Sequence, residues 1–245
     1  MTIRFNARER LNAVTTDMLR TAAGAVESAA RDRSVRVVVV TGTGRAFCSG
    51  ADLSGPSNED SSFPDMSLVD AANRLTVALV GLSKPVVCAL NGVAAGLGVS
   101  IALGCDIVVA CEDAYFLLAF TKVGLMPDGG ATLLVAASLG RARALQLALL
   151  AERLSMAEAL ASGLVWSVHD RDSFADAVES LTARLARGAT AALGRTKRAI
   201  NDASIPGLAT VLRAEREGQS DLLVGPEYVE GVDAFVNRRD PRFGC

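Results

Sequence analysis

Two glycine-rich turns, each directly after an apolar run, constrain this chain most strongly. The first run is Val35-Arg-Val-Val-Val-Val40, and three glycines fall in the segment 42–53 that follows it. The second is Pro85-Val-Val-Cys-Ala-Leu90, followed by three more glycines in the segment 91–98. Runs of this kind favour buried strands, and glycine lets the backbone approach a ligand because no Cβ stands in the way. The pattern predicts two strand ends whose backbone N–H groups can share one oxygen and stabilise an oxyanion.

Strand-like and helix-like segments alternate through the first two thirds of the chain, which predicts an α/β core. Thr15 is expected to cap a first helix, and a second is expected over 67–82. Short strands are predicted at 106–110 and 114–119. After Gly130 the chain is expected to be almost entirely helical, with a capping box at Ser155 and Glu158. The predicted later helices are 159–164, 174–185, 191–201, 206–223 and 228–238. We expect one catalytic core over 1–188 and a helical extension over 189–245.

Composition excludes several classes of partner. Half of the 245 residues are apolar and the formal net charge is −2, so the chain has no electrostatic footprint for nucleic acid or an anionic membrane. No apolar run approaches the ~20 residues of a transmembrane helix. The first residues lack the apolar region of a signal peptide, so a cytoplasmic location is expected.

Cysteine and histidine usage argues against metal and nucleophile chemistry. The five cysteines include no CxxC pair, and we expect them to be reduced and mostly buried. His169 is the single histidine, and no cluster has metal-ligand spacing, so no metal is expected. A Ser-His-Asp arrangement would need His169, whose surroundings instead indicate a strand and turn reaching the surface.

Four motifs, in order, resemble the crotonase family of enoyl-CoA hydratases and isomerases. They are Ala46-Phe-Cys-Ser-Gly-Ala-Asp-Leu53, Lys84-Pro-Val-Val-Cys-Ala-Leu-Asn-Gly-Val-Ala-Ala-Gly96, Cys105-Asp-Ile-Val-Val-Ala110 and Gly124-Leu-Met-Pro-Asp-Gly-Gly130. The resemblance implies a spiral of ββα units, with C-terminal helices packing between the subunits of a homotrimer or a dimer of trimers. It also implies a first strand before Arg4, for which this chain starts too late.

The same resemblance assigns an oxyanion hole and a coenzyme A path. It places the two donors on the backbone N–H groups of Ala51 and Leu97. A nucleotide-binding loop is the alternative for these glycines, but neither GxGxxG nor GxxxxGK[ST] is present. For Arg10 and Arg238, solvated surface charge is the alternative to ligand contact. The residues implied to line the coenzyme A and acyl path are Arg10, Leu11, Ser49, Gly50, Asp52, Leu53, Gly96, Gly98, Phe120, Phe235 and Arg238, with the 54–65 loop bordering the acyl pocket.

Hydratases of this family use two glutamates, and this chain has neither. Ser100 and Phe120 occupy the corresponding positions. Neither side chain can deprotonate a water molecule or return a proton to the α-carbon. The substitutions therefore argue against hydration by the two-carboxylate route.

Asp128 is the remaining carboxylate with a suitable position. Related enzymes that shift double bonds use a single acid at or near this point, and one base is enough because no water is consumed. Burial beside Phe120, Leu125 and Met126 would raise its pKa toward a useful range. The alternative is that Asp128 serves as the N-cap of the following helix.

The motifs are most similar to the family branch that contains the ring-epoxide isomerase of phenylacetate degradation, whose members also move enoyl double bonds. The sequence thus predicts an acyl-CoA isomerase that needs no cofactor beyond the coenzyme A of its substrate. The alternatives are an enoyl-CoA hydratase of low activity, a dehalogenase or C–C lyase, and a non-catalytic acyl-CoA-binding protein. The identity of the acyl group, aliphatic or aromatic, stays open.

Overall fold

The computed structural model of this protein describes residues 1–53 and 64–244. Two stacked sets of strands run through the described chain. Five strands form one parallel sheet in the order β1-β2-β4-β6-β9, and four form a second sheet in the order β3-β5-β7-β8, in which β7 and β8 are antiparallel. The strands are β1 (Thr2–Phe5), β2 (Val38–Gly42), β3 (Ala46–Cys48), β4 (Val86–Leu90), β5 (Val93–Ala95), β6 (Ile107–Cys111), β7 (Tyr115–Leu117), β8 (Arg153–Ser155) and β9 (Ser167–His169).

A repeated ββα unit builds this architecture. Strands β2 and β3, then β4 and β5, then β6 and β7 each contribute one strand to each sheet before the chain enters helical structure. This repetition is the predicted spiral. The α-helices are α1 (Thr16–Arg31), α2 (Ser67–Gly81), α3 (Leu97–Leu103), α4 (Ala131–Leu139), α5 (Arg141–Leu150), α6 (Met156–Ala161), α7 (Phe174–Arg187), α8 (Thr190–Ser204), α9 (Leu208–Leu222) and α10 (Pro226–Val236). Short 3₁₀ helices span Arg8–Arg10 and Ala119–Val123.

The central strands β2, β4 and β6 of the large sheet are buried on both faces. Val38 and Val40 belong to the main core with α1 and α2, whereas Val37 and Val39 face a smaller cluster that includes Leu181 of α7. A parallel strand covered on both sides has no solvent-facing positions, which is why the sequence shows a continuous apolar run instead of alternation.

Two expectations about the strands are wrong. The chain does have its first edge strand: β1 pairs in parallel with β2, and the amino group of Met1 donates to the Val37 carbonyl. The segment after Gly130 also contains β8, only three residues long and not predicted, together with β9, the strand that the surroundings of His169 indicated. A strand as short as β8 makes no readable alternation, and its pairing with β7 is decided by tertiary contacts.

Several local predictions are confirmed. The Thr15 side chain caps α1, and Ser155 and Glu158 form the predicted capping box at the start of α6. Helices α8, α9 and α10 occur where helical spacing placed them, with ends shifted by a few residues. The division at residue 188 stays a prediction. Within the described residues, no helix is long and apolar enough to cross a bilayer.

Candidate active site

The two glycine turns meet at the ends of β3 and β5. Gly50 and Gly96 both have positive φ, at 102° and 51°, and a Cβ built on Gly96 would lie 3.7 Å from the Cα of Gly50. This close approach brings the residues that follow them, Ala51 and Leu97, to one place. The prediction that both turns face one ligand therefore has a geometric basis.

Neither predicted donor has an intramolecular acceptor within the described residues. Ala51 forms a parallel bridge with Val14, in which Val14 N–H donates to the Gly50 carbonyl and Asp52 N–H donates to the Val14 carbonyl. The Ala51 N–H itself finds no acceptor in the described part of the chain. Leu97 is the first residue of α3, so its N–H is one of the donors that a helix leaves without an intrahelical acceptor. The positive end of the α3 dipole also favours a negatively charged oxygen at this point.

Gly98 allows α3 to approach β3. A Cβ on Gly98 would lie 2.2 Å from the Cys48 carbonyl oxygen, which is backbone and cannot move aside. We expect Gly98→Ala to lower the free energy of unfolding by about 1–3 kcal/mol through overpacking. It should also lower kcat/KM about tenfold or more, because the neighbouring Leu97 donor is displaced.

Gly24→Ala is the matched control for that substitution. Gly24 lies inside α1, and a Cβ there would meet nothing within 4 Å. Replacing a helical glycine in open space should raise the unfolding free energy by about 0.5–1 kcal/mol and leave turnover unchanged. Thermal melts and kinetics of the two variants measure both effects. Equal stability and activity for the two would contradict the close packing at Gly98.

The second half of the site is the turn at Asp128, Gly129 and Gly130. The two glycines adopt φ of 63° and 87°. The turn packs on the start of α3, since a Cβ on Gly129 would lie 3.1 Å from both the Leu97 side chain and the Ser100 Cβ. The Asp128 turn therefore packs against the side chain of Leu97, the residue that carries the second predicted donor.

Buried polar side chains from three helices hold this turn. Ser100 Oγ donates to the Asp128 carbonyl at 2.7 Å, and Thr76 Oγ1 donates to the Gly129 carbonyl at 2.8 Å. The Gly130 N–H donates to Glu215 Oε2 at 2.7 Å. Buried polar groups that are satisfied in this way fix one conformation, because every alternative leaves a group unpaired.

Asp128 itself is a buried carboxylate, and one of its oxygens lacks a hydrogen-bond partner among the described residues. Its side chain is 3% exposed, and Gln219 Nε2 donates to Oδ2 at 2.7 Å. Oδ1 has no hydrogen-bond partner among the described residues. Burial raises the pKa of Asp128 to about 7; the Gln219 hydrogen bond opposes this rise, and the negative charge of Glu215 adds to it. A carboxyl group with a pKa near 7 can both take and return a proton at neutral pH.

The alternative role of Asp128 as a helix N-cap is wrong. The N-cap of α4 is Gly130, and no side chain makes a cap hydrogen bond there. Leu125 packs against the core, and the groups that hydrogen-bond the carboxylate and its turn are polar. Contact of the carboxylate with Phe120, Leu125 and Met126 stays a prediction.

Ser100 and Phe120 are both buried at the site. Ser100 is 1% exposed and its hydroxyl is committed to the Asp128 carbonyl. The Phe120 ring lies 3.9 Å from a Cβ built on Gly96. Neither residue is a carboxylate, so the structure places a turn-holding hydroxyl and an apolar ring at the two positions that the resemblance assigns to the hydratase glutamates.

The predicted coenzyme A residues near the N-terminus form a connected group. Ser49 N–H donates to the Leu11 carbonyl and Ser49 Oγ to the Arg10 carbonyl, which ties the first turn to the 3₁₀ helix. Arg10 forms an ion pair with Asp52 while half of its own side chain stays exposed. Leu11 has a left-handed φ of 52°. The structure thus brings these four residues together beside the Ala51 donor.

The remaining predicted contacts are those of Leu53, the 54–65 loop, Phe235 and Arg238. Leu53 is partly buried and is the last described residue before the gap. Most of the loop predicted to border the acyl pocket, residues 54–63, lies outside the described residues. Phe235 is 62% exposed and Arg238 is also exposed. Their contact with a neighbouring subunit, like the trimer itself, stays a prediction.

Sequence reasoning missed Glu215 and Gln219. Both lie on α9, and both are 1% exposed. Together with Leu208, Leu212 and Leu222 they follow the spacing of the buried face of a helix. Two polar residues on an apolar stripe were the available signal, because burial of such groups requires specific partners.

No group of three or more His, Cys, Asp or Glu side chains that could hold a metal occurs within residues 1–53 and 64–244. Four cysteines of the described chain are free and buried, as predicted. The His169 ring contacts Ser167 within β9 and takes no part in the site described above.

Comparison with known proteins agrees with this geometry. The family model described as "Enoyl-CoA hydratase/isomerase" matches residues 1–245. The chain belongs to the enoyl-CoA hydratase/isomerase family. It is 42% identical over 247 residues to the 1,2-epoxyphenylacetyl-CoA isomerase of Escherichia coli K12, covering 99% of this chain and 94% of that relative.

Members of the family with other names are also similar. The 2,3-dehydroadipyl-CoA hydratase of Escherichia coli K12 is 33% identical over 232 residues, covering 95% of this chain and 90% of that relative. The crystal structure of an enoyl-CoA hydratase from Mycobacterium avium subsp. paratuberculosis K-10 superposes with a TM-score of 0.93 at 47% identity, covering 100% of this chain and 94% of that one. The family and the fold predicted from the motifs are therefore confirmed. The names of these relatives include both isomerases and hydratases, so they do not decide between the two reactions.

Proposed function

We propose that this family member is an acyl-CoA isomerase that shifts a double bond through an enolate, with Asp128 as its single proton shuttle. The observation that carries the proposal is that a buried carboxylate, with one oxygen unpaired among the described residues, lies in a turn that packs on Leu97, beside the two turns that carry the predicted backbone donors. The neighbouring group of Arg10, Leu11, Ser49 and Asp52 gives a binding path for the coenzyme A part of the substrate. An acyl-CoA substrate follows from the family.

The proposed reaction balances with one base. Asp128 Oδ1 removes a proton from the α-carbon (C2) of a 3-enoyl thioester. The electron pair of that C–H bond forms a C1–C2 double bond as the carbonyl π pair moves onto the thioester oxygen, which gives a dienolate. The N–H groups of Ala51 and Leu97 stabilise that oxygen, and each such donor is worth about 3–4 kcal/mol of barrier. When this dienolate collapses, the carbonyl re-forms, the C1–C2 pair becomes the C2–C3 double bond and the C3–C4 pair takes up the Asp128 proton at C4. The product is the 2-enoyl thioester, and the carboxylate is regenerated.

Hydration is the second candidate, because a hydratase is among the similar relatives. A hydratase of the two-acid kind needs a second carboxylate that is free to handle water. Glu215 is the second buried carboxylate at the described turn, and both of its oxygens are already bound, by Gly130 N–H and by the N–H and hydroxyl of Thr132. This occupancy favours isomerisation.

The 42% identity to a 1,2-epoxyphenylacetyl-CoA isomerase supports a ring-epoxide thioester as a further substrate to test. The enolate site requires only a thioester carbonyl beside Ala51 and Leu97. The choice between an aromatic and an aliphatic acyl group is therefore a separate question from the choice of reaction.

Rates on two substrates test the proposal. Purified protein should convert a 3-enoyl-CoA to the 2-enoyl isomer. The kcat/KM of this reaction should be at least about a hundredfold above that for hydration of a trans-2-enoyl-CoA, because hydration would lack one of its two acid–base groups. Hydration at an ordinary enzymatic rate would overturn the proposal. Coenzyme A binding with no turnover of either substrate would favour the acyl-CoA-binding alternative.

A further inference from the structure

The two oxygens of the Asp128 carboxylate differ in their surroundings. Oδ2 accepts the hydrogen bond from Gln219 Nε2, while Oδ1 is buried without a partner among the described residues. We propose that Gln219 is the positioning residue of this base: its amide holds Oδ2 and leaves Oδ1 as the oxygen that takes and returns the proton. This inference rests on the proposed function and deepens it.

The Gln219 hydrogen bond is compatible with both protonation states of Asp128. In the carboxylate, Oδ2 accepts from the amide. When the proton sits on Oδ1, Oδ2 becomes the carbonyl oxygen of the acid and still accepts. A proton on Oδ2 would instead compete with the amide N–H for the same oxygen. The base therefore keeps its orientation between the removal and the return of the proton.

Gln219 is itself held in place by the helix that carries it. Glu215 lies one turn earlier on the same face of α9 and accepts from Gly130 N–H at 2.7 Å, Thr132 N–H at 3.0 Å and the Thr132 hydroxyl at 2.5 Å. On the exposed side, Arg216 Nε donates to Asp70 Oδ1 of α2 at 2.6 Å. The Glu215 contacts fix the rotation of α9 and direct the Gln219 amide to Asp128, whereas the exposed Arg216 ion pair contributes little to this orientation.

A neutral donor suits a proton shuttle better than a charged one. Glu215 on α9 is the charged group within the described residues whose field reaches Asp128, and it raises the pKa of that carboxyl. Helices α2, α3 and α4 present the uncharged Thr76, Ser100 and Thr132 to the turn. A lysine in place of Gln219 would hold Asp128 ionised, whereas an amide stabilises the carboxylate moderately and still allows protonation.

Replacement of Gln219 by methionine tests this role, because methionine is of similar length and has no donor. Losing a hydrogen bond to the carboxylate should lower the acidity of Asp128 about tenfold to a hundredfold, which moves its titration midpoint up by one to two pH units. Infrared absorption of the protonated carboxyl, assigned by its loss in Asp128→Asn, reads this midpoint without any substrate. In kinetics we expect kcat to fall about tenfold or more while KM changes less than about threefold.

Arg216→Met is the matched control. It removes the ion pair between α9 and α2 three residues before Gln219 but touches neither Asp128 nor its turn. The Asp128 midpoint and kcat should both keep their wild-type values in this variant. An unchanged midpoint in Gln219→Met, or an equal shift in Arg216→Met, would overturn the inference, because the second result would mean that α9 acts only through its packing.

Gln219→Glu covers the case in which the methionine variant does not fold. Two adjacent carboxyl groups titrate as a coupled pair, so the second ionisation of this variant should lie above the wild-type midpoint of Asp128. A second ionisation at or below that midpoint would overturn the inference.

If the wild type turns over no enoyl-CoA but Gln219→Met still shifts the infrared midpoint, the proposed function fails and the positioning of Asp128 by Gln219 stands. If the wild type turns over a 3-enoyl-CoA normally but the midpoint does not shift, the proposed function stands and the positioning role fails.

Discussion

Asp128→Asn is expected to lower kcat/KM for isomerisation of a 3-enoyl-CoA by about 10²–10⁴-fold, the usual contribution of a positioned acid–base group. Asparagine has nearly the same shape as aspartate, and its side-chain oxygen can still accept the Gln219 N–H. The oxyanion donors are backbone groups of Ala51 and Leu97 and are untouched by the change. Coenzyme A affinity, measured by calorimetry, should therefore stay within about twofold of the wild type.

Asp176→Asn is the control for that measurement. Asp176 is an exposed carboxylate in the first turn of α7, on an element that takes no part in the site. Its replacement should leave both turnover and coenzyme A affinity unchanged. Unchanged turnover in Asp128→Asn would show that the base lies elsewhere, and a parallel loss of coenzyme A affinity would mean that Asp128 supports binding instead of chemistry.

The same Asp128→Asn variant should be more stable than the wild type at alkaline pH. Burial raises the pKa of Asp128 from an ordinary 3.8 to about 7, so the folded protein holds this proton over a range in which the unfolded chain has lost it. In that range the unfolded state binds fewer protons, and stability falls as pH rises. Above pH 7 the folded wild type carries a buried charge that asparagine removes. The difference corresponds to at most about 4 kcal/mol of unfolding free energy.

The pH dependence of this gain is the diagnostic feature. At pH 8 the full difference should be present, at pH 5 only about 1.5 kcal/mol of it, and near pH 4 almost none. Denaturant unfolding of both proteins at these pH values measures it, with Asp176→Asn as the control that shows no such trend. A constant offset between Asp128→Asn and the wild type at every pH would contradict the raised pKa.

Much of the fold was accessible from the sequence because local signals and tertiary structure agree. The apolar runs before the two glycine turns became β2 and β4, and the cap signals at Thr15 and Ser155 marked true helix starts. Amphipathic spacing also located the C-terminal helices. In each case a residue's local preference and its burial point to the same element.

The rest depended on pairing between distant segments. Strand β8 is three residues long and exists because β7 offers a partner, so no periodic pattern announces it. The edge strand β1 likewise rests on register with Val39 and its neighbours in β2. Tertiary context decides such short strands more than propensity does.

The candidate site likewise has one part that the sequence predicts and another part that it does not. Motif resemblance located Ala51, Leu97 and Asp128, and the departure at Ser100 and Phe120 indicated one base in place of two. Glu215 and Gln219 come from a helix about 90 residues later in the chain. Their partners are a backbone turn and a single carboxylate oxygen. Such contacts are set by how α9 docks, and spacing along the chain does not reveal them.

The most direct test of the central claim is proton exchange of a 3-enoyl-CoA in deuterated water, followed by NMR for the wild type beside Asp128→Asn. An enolate formed by Asp128 predicts conversion to the 2-enoyl isomer with deuterium entering the acyl chain in the wild type, and neither change in the variant. A 3-hydroxyacyl product as the main species would contradict isomerisation. Equal exchange in both proteins would contradict the assignment of Asp128 as the base.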